Sequence, residues 1–346
     1  MTQPSNLPVE EKTRRYTCPG CAADLAFEPK DGCLVCPYCG RKEQIPSSLD
    51  TVKEQSYQEY LSQSLKQTRT LTDNALEVNC PNCGSAVVFA PPDVAGQCPF
   101  CGTGIVAQPK SANPVIAPGG LLPFKVTGDQ AVGSIRAWLA SRWLAPSALK
   151  NLARQESIAG VYLPFWTYDA YAVSHYTGER GEHYWVTETY EETDSEGRRN
   201  TRTRQVQKTR WYPASGTVSR WFDDVLVPAT RSVSEGRLEA LQPWDLMDLV
   251  PYDPAFLVGF KAQCYQVSLS EGFEHAKQEM QTVIREDVRQ DIGGDEQRIL
   301  QLASSYSAVT FKHLLLPAWI GAYQFNQKVY QVLVNARTGE VQGDRP

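Results

Sequence analysis

Apolar and polar positions divide the 346-residue chain into a front part of short alternations and a back part of longer apolar runs. In the front part Leu25/Phe27 and Val87/Phe89 alternate over a few residues only, which predicts short strands. Between them, 48–70 lacks glycine and proline and spaces Leu49, Val52, Tyr57, Tyr60, Leu61 and Leu65 as one narrow stripe. That is the pattern of a single amphipathic helix. Proline, glycine and alanine crowd 108–120, which reads as a linker. Beyond it, Thr127-Gly128-Asp129 opens a helix with Val132, Ile135, Trp138 and Leu139 on one face, and Ala145-Pro146-Ser147 opens a shorter one ending near Arg154. Strand-like runs cover 161–176, 184–190, 202–211 and 215–228. A last helix is expected from Ser270 as N-cap, with Phe273, Ala276, Met280, Val283, Ile284 and Val288 at helical spacing and Gly293-Gly294 at its end.

A faint repeat runs through the back part. Leu163-Pro164-Phe165-Trp166 and Leu316-Pro317-Ala318-Trp319 each open a strand, and each is followed later by Thr-Gly-Glu, at 177–179 and 338–340. Val250-Pro251-Tyr252 reads as a degenerate third copy. Antiparallel hairpins with helices packed on the sheet follow from this pattern.

The cysteines change the picture of the front part. Nine of the ten lie between Cys18 and Cys101, and eight of those form four CxxC pairs. Cys18, Cys21, Cys36 and Cys39 map onto Cys80, Cys83, Cys98 and Cys101 with a constant offset of 62. The same offset carries Pro19 to Pro81, Phe27 to Phe89, Pro37 to Pro99, Tyr38 to Phe100 and Gly40 to Gly102, so the segment is duplicated. Two cysteines two residues apart can reach one ion across a tight turn, and four thiolates complete a tetrahedral zinc site. The eight cysteines are therefore expected to hold two structural Zn2+ ions, in a reducing compartment. Glycine after Cys39, Cys83 and Cys101 suits the left-handed backbone that closes such a turn. Cys33 could also pair with Cys36, but its counterpart in the second copy is Ala95, which makes it a spare thiol.

The expected fold class is α+β: two tandem small zinc ribbons followed by a larger antiparallel-sheet domain with packed helices. Its parts are a first ribbon at 1–46, a helical linker at 47–77, a second ribbon at 78–108 and a linker at 109–120. A tryptophan-rich α+β domain with repeated LPxW hairpins then fills 121–346 and holds all eight tryptophans.

Charge adds one feature. The net charge of −5 gives no general affinity for polyanions. Locally, 179–196 holds seven acidic residues and one arginine, while 197–222 holds seven basic residues and no acidic one. Arg198, Arg199, Arg202, Arg204, Lys208 and Arg210 are thus candidates for an anion-binding surface. The alternative is a long hairpin turning near Asp194-Ser195-Glu196-Gly197, whose acidic and basic strands face each other. This second reading is favoured, because summed charge sets the field.

Enzymatic chemistry finds little support. No Gly-Lys dipeptide occurs anywhere, so a P-loop motor is not expected. His175 and His183 flank 179–182, read as a polar hairpin tip, and a hydrolase would need one of them to meet a carboxylate in a cleft. His275, His313 and Cys264 read as structural. The opening MTQPSNLPVEEKTRR is not a secretory leader and no apolar run is long enough to span a bilayer, so a cytoplasmic location is expected.

With these residues laid out, the chain resembles a family of bacterial proteins with a transcription factor IIB-type zinc ribbon. Its members often carry the name primosomal protein N' (replication factor Y), superfamily II helicase. The two CPxC…CPxCG ribbons carry the likeness, together with Gly160-Val161-Tyr162-Leu163-Pro164-Phe165-Trp166-Thr167-Tyr168-Asp169-Ala170 and Tyr176-Thr177-Gly178-Glu179-Arg180-Gly181. Ile292-Gly293-Gly294-Asp295-Glu296-Gln297 and Asn335-Ala336-Arg337-Thr338-Gly339-Glu340-Val341 complete it. The resemblance implies no established reaction. It implies a protein partner, since some members work beside phage-shock-like and flotillin-like membrane-stress proteins. Some members end in a membrane segment; this chain stops at Pro346 without one, so a membrane role is expected only through a partner. A non-enzymatic adapter is the leading expectation. A nucleic-acid-binding accessory of replication or transcription is the alternative.

Overall fold

Residues 160–170 are buried without interruption, as befits a strand whose two faces are both covered. They lie in the middle of a sheet that dominates the protein. A computed structural model describes residues 16–23, 25–46, 51–63, 76–80, 84–89, 95–101, 104–106, 116–140, 158–193, 197, 199–325 and 328–343. Strands β1 (Ala26–Glu28), β2 (Cys33–Val35) and β3 (Lys42–Glu43) form a small antiparallel sheet. Next come β4 (Gln55–Ser56), α1 (Tyr57–Gln63), β5 (Leu76–Asn79), β6 (Ala86–Phe89), β7 (Ala95–Gln97), β8 (Gly104–Val106) and β9 (Gly120–Leu121). They are followed by α2 (Gly128–Ala140), β10 (Ile158–Thr193), β11 (Arg199–Pro228), α3 (Glu235–Ala240), β12 (Val250–Pro251) and β13 (Lys261–Ala262). The chain ends with α4 (Leu269–Ile292), β14 (Glu296–Phe325), β15 (Lys328–Asn335) and β16 (Val341–Gly343). The fold is mixed, with a mostly antiparallel large sheet after the small one.

Two compact units share these elements. The first comprises Met1–Thr167, Leu226–Gly272 and Phe311–Pro346; the second comprises Tyr168–Val225 and Phe273–Thr310. The unit boundaries therefore cut through 121–346, because β10, β11 and β14 are long enough to serve both.

In the first unit β14 runs parallel to β9, pairing Leu314 with Gly120, and antiparallel to β15 from Ala318↔Asn335 to Phe325↔Lys328. On the other side β10 is parallel to β13, β13 is antiparallel to β6, and β6 pairs with β5. Leu122, Leu163, Phe165, Leu314, Leu316 and Leu333 fill the core between these strands. Each such side chain contributes about 1.5–3 kcal/mol by leaving water. Both LPxW segments thus lie inside long buried strands, and Thr338-Gly339-Glu340 makes the turn between β15 and β16.

The second unit packs α4 on the outer lengths of β10, β11 and β14. Phe273, Ala276, Met280, Ile284, Val288 and Ile292 are buried, while Val283, assigned to the same stripe, is 40% exposed. Its fixed points are polar: Tyr176 donates to Asp291 at 2.5 Å, and Arg220 grips Asp287 with two bonds of 2.5 and 2.6 Å. The Ser268 hydroxyl, not that of Ser270, accepts from the Glu271 N–H, so the helix starts earlier than expected.

Three other expectations are revised. The 48–70 helix shrinks to α1 among the described residues, because Ser56 caps it by accepting from the Glu59 N–H and Val52 is drawn against Gly119 and Gly120. Residues 116–120, assigned to a linker, are core: Ile116 is buried, its carbonyl accepts from His313, and Gly120 belongs to β9. The polar 179–182 lies mid-strand rather than at a tip. Gly178 allows this, since a side chain there would collide with the Arg298 backbone. The helix expected at 145–154 lies outside the described residues.

Candidate metal centres

The first CxxC turn is built by two backbone bonds. The Cys18 N–H donates to Ala23 O (2.7 Å) and the Ala22 N–H to Cys18 O (2.8 Å). The same pair recurs at Cys36, with Arg41 and Gly40, and at Cys80, with Ser85 and Gly84. Positive φ closes all three turns, 60° at Ala22, 72° at Gly40 and 71° at Gly84. Sequence reasoning found the glycines but missed Ala22, which adopts the same backbone without the residue that favours it. A left-handed L-residue costs about 1–2 kcal/mol, and glycine returns about 0.5–1 kcal/mol of that as chain entropy. Ala22→Gly is therefore expected to raise stability by up to about 1 kcal/mol. A denaturation midpoint that falls instead would refute this.

These turns bring Cys18, Cys21, Cys36 and Cys39 together, with all four sulfurs within 4.8 Å of one another. Cys18–Cys39 and Cys21–Cys36 are 3.4 Å apart and Cys21–Cys39 3.7 Å. A tetrahedral site with metal–sulfur bonds of about 2.3 Å has sulfur–sulfur edges of roughly 3.8 Å, so the spacing fits a tetrathiolate metal. Electrostatics agrees. Backbone N–H groups of Cys39 and Tyr38 hold the Cys36 thiol down at about 6, although burial opposes them. Cys21 goes the other way: the Ala23 N–H favours its thiolate, but the thiols of Cys36, Cys39 and Cys18, together with burial, push it up to about 12. Four adjacent thiolates repel, and a divalent cation is what allows all four to ionise together. Cys33 stays outside the group, buried in β2, where burial pushes its thiol up.

Cys80, Cys98 and Cys101 form the second group, again within 4.8 Å, with Cys80 and Cys101 3.4 Å apart. Cys83 lies outside the described residues. The Ser85 hydroxyl sits 3.7 Å from the Cys98 sulfur. Two close cysteine groups thus exist that can hold metal ions.

Both groups are seated in apolar clusters, Cys18 and Cys36 in one and Cys80 and Cys98 in another, but they differ in what else is buried with them. The first small sheet docks through its strands: Leu25, Phe27 and Leu34 join a cluster with Leu121, Phe124 and Leu257, and Phe27 meets Phe256 at 5.3 Å. Its Cys21 and Cys39 are left exposed. The second group docks through the cysteine turn itself. Cys80, Cys98 and Phe100 are buried among Leu163, Phe165, Trp244 and Leu316, and the Phe100 carbonyl accepts from Gln331 at 2.5 Å.

The basic run lies on β11 next to the acidic half of β10. Lys208 pairs with Glu188 at 2.9 Å, Arg204 with Glu188 at 3.3 Å, Arg202 with Glu192 at 2.9 Å and Arg199 with Glu191 at 3.6 Å. Arg210 lies over the Tyr184 ring, 4.9 Å from its centroid. Arg198 lies outside the described residues. Residue numbers of these pairs sum to a near-constant value, as in an antiparallel hairpin.

Of the histidines, His183 does meet a carboxylate, Glu296 at 2.8 Å, but Thr209 donates to the same oxygen at 2.7 Å. The threonine hydroxyl is thus turned to Glu296 rather than to the imidazole. His175 contacts Thr217 at 2.8 Å. His313 is fully buried and pushed down to about 4 by that burial, so it is neutral at ordinary pH.

The other sequence segments singled out above are structural positions. Asn335 accepts from the Arg337 and Thr338 N–H groups and donates to Leu241 O (2.8 Å). The Gln297 amide donates to the Gly293 and Gly294 carbonyls. No helix among the described residues is long and apolar enough to cross a membrane. No family model and no solved structure matches the chain. The chain is similar to a protein of Bacillus subtilis (strain 168) described as "Uncharacterized protein YdjG": they are 25% identical over 332 residues, 96% of this chain and 89% of that protein.

Proposed function

We propose that this protein is a non-enzymatic, cytoplasmic adapter whose two cysteine groups are four-cysteine zinc ribbons and whose ions are structural. The observation that carries this is the sulfur geometry at Cys18, Cys21, Cys36 and Cys39: tetrahedral edges, backbone donors, and four protein ligands that leave no position for water or substrate. Zinc is favoured over other ions by an all-thiolate donor set in a tetrahedral array. Cys83 completes the second site by the duplication. A partner protein fits a platform of this kind. The nucleic-acid alternative is weaker, because Arg199, Arg202, Arg204 and Lys208 already face carboxylates. The His183–Glu296–Thr209 contact ties β10, β11 and β14 together and offers no nucleophile to the imidazole.

Purified under reducing conditions, the protein is expected to carry two zinc ions per chain by elemental analysis. Iron or no metal would overturn the assignment. Titration with duplex DNA at low salt tests the alternative: a log affinity that falls linearly with log salt would favour nucleic acid over the adapter.

A further inference from the structure

The duplication sets Tyr38 and Phe100 at equivalent positions, each one residue before the last cysteine of its group. Their surroundings are opposite. Phe100 is 0% exposed, and its turn is plugged into an apolar socket with an amide, that of Gln331, bonded to its carbonyl. Tyr38 is 82% exposed. We propose that the Tyr38 turn is a docking knob for another protein, one offering an apolar socket with a side-chain amide at its rim. The proposal rests on reading the chain as a zinc-held interaction module.

Three observations define that partner. The chain shows what this knob does when a socket is available, because its second copy is seated in one. A second copy of the chain is a poor host, because its own socket of this kind is filled by Phe100. Nucleic acid is disfavoured, because the cations nearest the knob are engaged, Arg41 with Glu43 at 3.0 Å and Lys42 with Asp31 at 2.8 Å. The knob is also well prepared for binding. Two backbone bonds, Cys36 N–H to Arg41 O at 2.9 Å and Gly40 N–H to Cys36 O at 3.0 Å, close the turn around Tyr38 before contact, so little ordering is lost on docking. Tyrosine adds a large apolar body with a polar tip, the chemistry enriched at the energetic centres of interfaces.

The test places a photocrosslinking amino acid at position 38 of the full chain in its native cells, with position 190, also exposed, as control. A protein crosslinked at 38 and not at 190 is then purified, and its affinity for the unaltered chain, Tyr38→Ala and Tyr38→Phe is measured. Tyr38→Ala is expected to weaken binding by at least about tenfold and Tyr38→Phe by much less, both with two zinc ions per chain. No specific crosslink at 38, crosslinks to nucleic acid, lipid or a second copy, or unchanged affinity of Tyr38→Ala would overturn the knob. Zinc content separates the failures. Two ions without a partner sink the knob alone, whereas a chain without zinc sinks the ribbon reading beneath it.

Discussion

Replacing Cys98 by serine is expected to remove one of the two ions and to unfold the core of the first unit, whereas Cys39→Ser removes one ion and leaves that core standing. The difference follows from where the sulfurs lie. Cys98 is buried in the cluster that holds Leu163, Phe165, Trp244 and Leu316, and its neighbour Phe100 is a wall of that cluster. Binding of a structural zinc is worth about 10–16 kcal/mol in isolated fingers, comparable with or above the entire stability of a domain, about 5–15 kcal/mol. Without the ion, the turn that seats Phe100 loses its metal tie, and the Gln331 amide, which also reaches Ser232 O at 3.3 Å, is left to hold the Phe100 carbonyl alone. Cys39 is exposed, and the sheet beside it is held by apolar contacts of Phe27 and Leu34 in the cluster that also takes Cys18 and Cys36. Near-ultraviolet circular dichroism reports the buried Trp166 in the same unit. Cys98→Ser should abolish that signal and Cys39→Ser preserve most of it, each with one zinc per chain. A cooperative melt of Cys98→Ser within a few degrees of the unaltered protein would count against the second ion as the keystone of that core.

What could be read from residues alone divides by the range of the interaction. The grouping of Cys18, Cys21, Cys36 and Cys39 was legible because CxxC spacing brings sulfurs together locally, and the duplication left Cys33 out of it. Helix α2 was legible for the same reason: Val132, Ile135 and Leu139 recur at its period and are buried. The long strands were only half legible. The runs at 161–176 and 184–190 were read as separate strands around a tip at 179–182, yet β10 runs through that polar stretch to Thr193 because β11 pairs with it and ion pairs join the two. Burial of 116–120 could not be read, since proline and glycine there mimic a linker while tertiary contacts with Tyr265 and His313 decide the outcome. Nor does any local signal separate Tyr38 from Phe100. Equivalent positions of the duplication are distinguished by what lies across from them.

Arg337→Met is expected to cost about 1–3 kcal/mol of folding free energy, the range for leaving a buried acceptor without its donor, since the two carboxylates it leaves are 39% and 51% exposed and can be solvated. The guanidinium side chain is 2% exposed and makes three kinds of bond: to the Pro123 carbonyl at 2.8 Å, to Asp245 at 2.6 and 2.8 Å, and to Asp248 at 2.6 Å. Lys125 reaches the same two carboxylates, at 3.3 and 2.6 Å, but from the exposed side. Methionine would fill the volume and leave Pro123 O without this donor and two aspartates with one lysine. Arg337→Lys keeps the charge but not the planar fork, so it should fall between the two. Acid sensitivity gives an independent reading. Burial alone would raise the Asp245 carboxyl, but the Arg337 guanidinium overrides it and holds the group at about 2, below its ordinary 3.8. A carboxyl that ionises more readily folded than unfolded stabilises the fold above pH of about 4 and ceases to as pH falls toward 2. The unaltered protein should therefore lose stability across that window, and Arg337→Met should lose less of it, because the group that depresses Asp245 is gone. Urea midpoints at pH 7 and pH 3 for both proteins decide this: parallel losses would show that Asp245 owes its acidity to something other than Arg337.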